Sequence, residues 1–286
     1  MAEKTETETK PVKRTVLDVD DIISVAPVLA NHRKFVKWLM HWLEIDRVNA
    51  VHSKYFDTPG APFVKSLLED FNITLRVDNA SVLDSFPEGT PFVTVSNHPF
   101  GAIDGISLIH LVASRRPDYK VMVNMFLNYL TAMRPNFIAV DALASDDPAK
   151  KAVSMRGIKE AIVQVRRGHP IGFFPAGAVS KLNWRLRLED RPWQPSIIRL
   201  IEQLDVPVVP IYFHGSNSAL FNILGVVSWQ LRTLRLPSEV FRKCDSTLHI
   251  SVGDPISVEE QKLHRGSVEE FGDFLKSSTY ALRSLK

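Results

Sequence analysis

Apolar positions recur at helical spacing early in the chain. Phe35, Trp38, Leu39, Trp42 and Leu43 share one arc, while Arg33, Lys34, Lys37 and His41 fall opposite. After the turn-rich DTPGAP, a second set follows at Phe63, Val64, Leu67, Leu68 and Phe71. The spacing predicts a pair of amphipathic helices. Two uses of their apolar faces stay open. They can cover a core, as most such stripes do. Alternatively, Trp38 and Trp42, with lysines nearby, can rest in a membrane interface, because indole suits the headgroup level and cations meet anionic lipid.

Beyond these helices, short β-type runs alternate with helical ones. Strands are expected at 73–77, 92–96, 121–124, 137–140, 171–174, 208–213 and 248–252. The clearest helix runs over 148–167, with Asp147 as N-cap, Pro148 in the first turn, Ile158, Ala161, Ile162 and Val165 on its core face, and Gly168 ending it. Ser257 with Glu260 and Ser267 with Glu270 have capping-box spacing, so two helices close the chain. The alternation predicts an α/β fold: a mixed, largely parallel central sheet flanked by helices and preceded by the amphipathic pair. No internal repeat is visible. The expected organisation is a polar, disordered tail over 1–14, a helical, membrane-facing segment over 15–75 and an α/β domain over 76–286.

Composition narrows this little. The 286 residues are 45% hydrophobic and 23% charged, as in a folded soluble domain. One cysteine, Cys244, excludes an intrachain disulfide and fits a reducing compartment. No window of about 18 uninterrupted apolar residues occurs, and the opening MAEKTETETKPVKRT lacks the apolar centre of a signal peptide. A net charge of +3, without zinc-finger spacing or a basic helix, gives no argument for nucleic acid. A mild basic bias suits an anionic membrane surface or an acidic carrier protein.

The candidate chemistry lies in VTVSNHPFGAIDG, residues 93–105. A strand breaks at Asn97, His98, Pro99 and Gly101, and an almost wholly apolar helix begins with Asp104 in its first turn. Reactive groups collect where strands end and helices begin. A carboxylate at the mouth of a buried helix needs a partner, and His98 is the nearest. With Asp104 accepting from one ring N–H, the other imidazole nitrogen is free to take a proton. Asn-His-Pro is also good loop sequence, and Asp near a helix start is favoured by the dipole alone, so a purely structural pairing stays open here. No G-x-S-x-G turn occurs, which leaves the substrate as the nucleophile.

Three further segments give NHPFGAID a context. FPAGAVS at 174–180, directly after a predicted strand, and VPVVPIYFHG at 206–215 follow in order, with FIAVDA ending at Ala142 between them and the bend. Together, over roughly residues 60–255, they resemble the glycerolipid and lysophospholipid acyltransferases and their hemolysin-like bacterial branch, which includes acyltransferases of ornithine and glycine lipids. That resemblance implies a catalytic dyad of His98 and Asp104. It also implies an acyl thioester donor, on acyl carrier protein or coenzyme A, and a lipid hydroxyl or amine as acceptor. No other cofactor and no metal are implied. Substrate would be held by Asn97, Phe100 and Gly101 at the bend, by Phe174, Pro175, Ala176, Gly177, Ser180 and Lys181 in the third block, and by His214, which otherwise only caps its strand. Trp38 and Trp42 would face the membrane, placing the enzyme peripherally on the cytoplasmic face of the inner or plasma membrane.

The departures from the family pattern bear on substrate. The family's first block separates His and Asp by four residues, whereas five lie between His98 and Asp104. If the added residue lies in the loop, Gly101 can absorb it at positive φ; within the helix it would turn Asp104 by about 100° and part the pair. Arginines and a glutamate that assist a phosphate-bearing acceptor in the family are replaced by Ala142, Val179 and Ala176. A hydroxyacyl amino acid or an amino-acid amine is therefore the expected acceptor, with lysophospholipid the conventional one. Lys181, Arg185, Arg187 and Arg191 form either a basic lip for the carrier or a solvated loop. Two rivals use the same features: an ester or thioester hydrolase in which the dyad activates water, and a lipid-binding protein without catalysis.

Overall fold

The computed structural model describes residues 13–141, 148–183 and 188–284. The expected Asp147 cap, Ala142, Arg185 and Arg187 lie outside the described residues.

The seven expected strands all form: β1 (Thr74–Asp78), β2 (Val93–Ser96), β3 (Lys120–Asn124), β4 (Phe137–Val140), β5 (Ile171–Phe173), β8 (Val208–Phe213) and β9 (Thr247–Val252). Between β5 and β8 runs a small antiparallel ribbon of β6 (Lys181–Leu182) and β7 (Leu188–Glu189). The main sheet has the order β1-β9-β8-β2-β5-β3-β4. All its pairings are parallel except β8 with β9. This is the mixed, largely parallel α/β sheet that the alternating pattern implies.

Side chains alternate across the strands and so build two cores. On one face Val209, Ile211 and Phe213 of β8 meet the helices Ala61–Asp70 and Ala102–Ala113. On the other, Val93 and Val95 of β2 and Val208 of β8 meet Pro148–Arg166, Pro195–Leu204 and Val268–Ala281. The Pro148–Arg166 helix buries Ala161 and Val165, and Gly168 follows it at φ +83°. Ser257 and Ser267 cap the last helices by accepting from the amides of Glu260 and Glu270.

The N-terminal helices divide in their use. Ala61–Asp70 buries Phe63, Val64, Leu67 and Leu68 in the core. The helix Arg33–Trp42 instead buries Val36 and Met40, and leaves Phe35, Trp38 and Trp42 at 50%, 58% and 55% exposure. Those three rings stack in a row, Phe35 on Trp38 and Trp38 on Trp42. The intervening helix Ile45–Tyr55 was not signalled by periodicity, since it buries only His52. Among the described residues no helix is long and apolar enough to cross a membrane.

Candidate active site

β2 sits at the middle of the sheet, and its C-terminal end delivers the bend. Asn97 prolongs the strand with its side chain. The amide accepts from Phe213 N at 2.7 Å and donates to Phe213 O at 2.9 Å, which ties the bend to β8. Both ends of this expected substrate residue are thus committed to the scaffold. His98 then points to the face occupied by Phe213. Its ring packs on Phe174 at 4.3 Å between centroids, and Phe174 in turn rests near Phe213.

Gly101 takes φ +86° and caps the helix Ala102–Ala113. The additional residue between His98 and Asp104 is therefore absorbed in the loop, before the helix starts. A β-carbon at Gly101 would stand 2.9 Å from Leu236 Cδ2 and 3.2 Å from Val179 Cγ2, so the turn needs glycine for both conformation and room.

With that turn in place, Asp104 reaches back. His98 Nδ1 lies 3.0 Å from Asp104 Oδ2, and the same oxygen accepts from Phe100 N at 2.8 Å and Gly101 N at 2.9 Å. The approach is oblique to the ring N–H, and Asp104 Oδ1 is buried without a protein partner, so the imidazole is held in reach but is not locked. Asp104 is fully buried; desolvation pushes its carboxyl above the ordinary range, against the pull of His98 and the two amides. The histidine side chain keeps 19% exposure. Its Nε2 has no protein partner among the described residues, which leaves one nitrogen able to accept a proton.

A second carboxylate, which the sequence did not flag, holds the bend from behind. Asp190 Oδ1 accepts from His98 N at 3.2 Å and from Ser180 Oγ at 2.6 Å, while Oδ2 accepts from Trp193 Nε1 at 3.3 Å. Ser180 N donates to His98 O at 2.8 Å, so the third block and the first are pinned together. Arg232 braces the same block, donating to Ser180 O and Val179 O at 3.1 and 3.2 Å. Burial pushes its guanidinium below the ordinary range, and Arg191 adds to this. Neither Asp190 nor Arg232 falls inside a recognisable motif, so only their contacts reveal them.

The remaining expected site residues are spread over two faces. Phe174 and Phe100 flank the dyad, and Pro175 turns the chain by accepting at its carbonyl from Gln194 N at 2.9 Å. Ala176 packs into the opposite core. Lys181 is exposed and pairs with Glu189 in the ribbon. His214 shares the sheet face of Tyr212, away from the His98 ring, where its Nε2 meets Ser251 Oγ at 2.8 Å and its ring stacks on His249. There it lines a polar cavity of about 360 Å³ with Asn97, Ser180, Tyr212 and Tyr280, behind the bend. Oxyanion donors narrow by elimination: the amides of Phe100 and Gly101 serve Asp104, that of Gly177 serves Phe174 O, and that of Ser180 serves His98 O.

A histidine and a buried aspartate meeting at the end of a central strand, walled by aromatic rings, suit proton abstraction from a bound hydroxyl. Comparison with known proteins gives the family. The lyso-glycine lipid O-acyltransferase of Bacteroides thetaiotaomicron is 27% identical over 255 residues, which cover 84% of this chain and 88% of that protein. The protein of the same name from Phocaeicola vulgatus is 23% identical over 231 residues, 78% and 79% of the two chains. In fold, the crystal structure of the 1-acyl-sn-glycerophosphate acyltransferase PlsC from Thermotoga maritima superimposes with a TM-score of 0.50, covering 90% of this chain and 92% of that one at 14% identity. A family model described as acyltransferase matches residues 21–286. This chain belongs to that acyltransferase family and is an acyltransferase.

Proposed function

We propose that this enzyme transfers a fatty acyl group from an acyl thioester, carried on acyl carrier protein or coenzyme A, to the hydroxyl or amine of an amino-acid lipid precursor. His98 is the general base, and Asp104 orients it. The observation that carries this reading is the 3.0 Å approach of His98 Nδ1 to Asp104 Oδ2, with Nε2 left open. Nε2 takes the proton as the acceptor oxygen attacks the thioester carbonyl. When the carbon–sulfur bond breaks, the same proton passes to the departing thiolate. One ester bond forms with a hydroxyl acceptor, or one amide bond with an amine, one thioester bond is lost, and the imidazole returns to its starting state.

The acceptor class rests on two supports. Positions where phosphate-binding arginines are expected hold Ala142 and Val179, and each lost charge-assisted bond is worth about 1.5–3 kcal/mol. The curated relatives, for their part, bear the name of a glycine-lipid acyltransferase. The exposed Phe35, Trp38 and Trp42 row gives the enzyme a means to rest on the bilayer that holds such an acceptor.

The test supplies purified protein with acyl thioester and, separately, a hydroxyacyl glycine, a hydroxyacyl ornithine and lysophosphatidate, with products read by mass spectrometry. Diacylated amino-acid lipid is the expected product. Turnover on lysophosphatidate with none on the amino-acid acceptors refutes the acceptor assignment. Free fatty acid released without any acceptor identifies a hydrolase instead.

A further inference from the structure

A cation beside the bend makes no ion pair among the described residues. Lys243 follows the helix Leu236–Phe241, and its Nζ donates to the Ser216 carbonyl at 2.9 Å and sits 4.4 Å from the centroid of the Phe100 ring. Among the described residues no carboxylate pairs with it. Glu239 is engaged elsewhere, accepting from Ser218 N at 2.8 Å and Ser218 Oγ at 2.6 Å. Asp104 holds His98 and two amides. Burial pushes the Lys243 ammonium below its ordinary range, and the fields of Glu239 and Asp104 only partly oppose this. A half-buried cation whose one polar partner is neutral leaves room for an anion, because a charge drawn out of water needs a partner.

Phe100 connects this cation to the dyad. Its N–H serves Asp104, and its carbonyl accepts from Asn217 Nδ2 at 3.2 Å. The Phe100 ring lies against Gly215, where φ is +111° and a β-carbon would stand 2.9 Å from Cζ. Asn217 is only 4% exposed, and its Oδ1 is buried without a protein partner. Thus an unpaired ammonium and an unpartnered amide oxygen both border the residue that lies two positions after His98. Of the neighbouring arginines, Arg232 is already bonded to the Val179 and Ser180 carbonyls, and Arg235, at the start of the Leu236–Phe241 helix, has its Nε buried without a protein partner.

We propose that Lys243 reads the acceptor's headgroup, its ammonium binding the carboxylate of an N-acylated amino acid whose hydroxyl is presented to His98. This rests on the reading given under "Proposed function" and assigns the residue that sets its specificity. A carboxylate carries a single negative charge and is matched by one ammonium. A phosphate monoester carries more and favours the multiple, forked donors that guanidinium groups give. Asn217 Oδ1 is placed to accept from the acceptor's amide N–H, the group that separates the carboxylate from the acyl chain.

The experiment measures steady-state kinetics of the full-length wild type, Lys243→Gln and Lys243→Arg with saturating acyl thioester. The acceptors are N-(3-hydroxyacyl)glycine and its methyl ester. Glutamine can keep the bond to Ser216, so the fold is checked by thermal denaturation and is expected to hold. Lys243→Gln is expected to raise KM for the free acid by about 10- to 100-fold with kcat little changed. KM for the ester should stay level, and Lys243→Arg should restore most of the loss. An equal rise for acid and ester, or no rise at all, overturns the role of Lys243 while transfer by the wild type still upholds the function. Wild type that uses lysophosphatidate and neither glycine acceptor overturns both together.

Discussion

His98 Nδ1 stands 3.0 Å from Asp104 Oδ2, and that oxygen is also the acceptor for the amides of Phe100 and Gly101. One buried carboxylate therefore fixes the loop through its amides and keeps the imidazole within reach. His98→Ala should fold as the wild type does while activity falls by at least about 10²- to 10⁴-fold, the usual contribution of a positioned base. Asp104→Asn should lose activity too, since a neutral amide does not stabilise the imidazolium. Near wild-type turnover by either variant, measured as diacylated product, removes the dyad from the mechanism.

Gly101 is the position where the longer His-to-Asp spacing is accommodated. Gly101→Ala places a β-carbon against Leu236 and Val179 at positive φ. The cost should be about 1–3 kcal/mol of stability, read by denaturant unfolding. Activity should drop by more than that loss of fold explains, because the strain acts on the loop between His98 and Asp104. A fully active, equally stable alanine variant contradicts this account of the turn.

Asp190 gathers the His98 amide, the Ser180 hydroxyl and the Trp193 indole N–H. Asp190→Ala leaves these donors without their acceptor, at about 1–3 kcal/mol each where buried. Asp190→Asn keeps an acceptor oxygen and should retain more of both stability and kcat. Alanine and asparagine variants that behave alike would show that the hydrogen bonds are not what matters.

Trp38 and Trp42 face outward, while Val36 and Met40 anchor the same helix from its other side. Trp38→Glu with Trp42→Glu should therefore leave the melting temperature nearly unchanged and release the protein from anionic liposomes in a sedimentation assay. Undiminished liposome binding counts against membrane docking through this helix.

His52 ties the start of the described chain to the sheet's flank. Its Nδ1 meets Arg14 O at 3.0 Å, and its Nε2 accepts from Ala132 N at 3.2 Å, an arrangement that requires the neutral ring. Burial holds its pKa below the ordinary 6.5, with the Arg14 carbonyl opposing. The unfolded ring thus binds a proton at higher pH than the folded one, so the stability contribution is present above 6.5 and is lost as pH falls through the folded value. Hydrogen exchange at residues 13–17 should speed up on going from about pH 7.5 to about pH 5.5, after correction for intrinsic rates. Constant protection across that window contradicts the assignment.

Much of the scaffold was legible because its signals are local. β4 (FIAV) and β8 (VVPIYF) are runs rich in β-branched and aromatic residues, so they fall where the pattern places them. The helix Ile45–Tyr55 was not legible. Its sequence IDRVNAVHSKY has a thin apolar stripe, and what holds it is a buried histidine bonded to residues far along the chain. The dyad could be read from NHPFGAID because the partners are near in sequence and a glycine between them permits the turn.

By itself the sequence determined the alternation of strands and helices, the bend at His98 and the existence of an apolar stripe around Trp38. These follow from the periods of backbone geometry and from the φ freedom of glycine. Only the tertiary structure decided which way that stripe faces, since periodicity defines a face without saying what lies opposite it. It likewise decided that Asp190 and Arg232 would brace the bend and that Lys243 would stand over Phe100. Asp190 lies 92 residues from His98, Arg232 lies 52 from Ser180 and Lys243 lies 143 from Phe100, and no local rule of spacing links residues so distant.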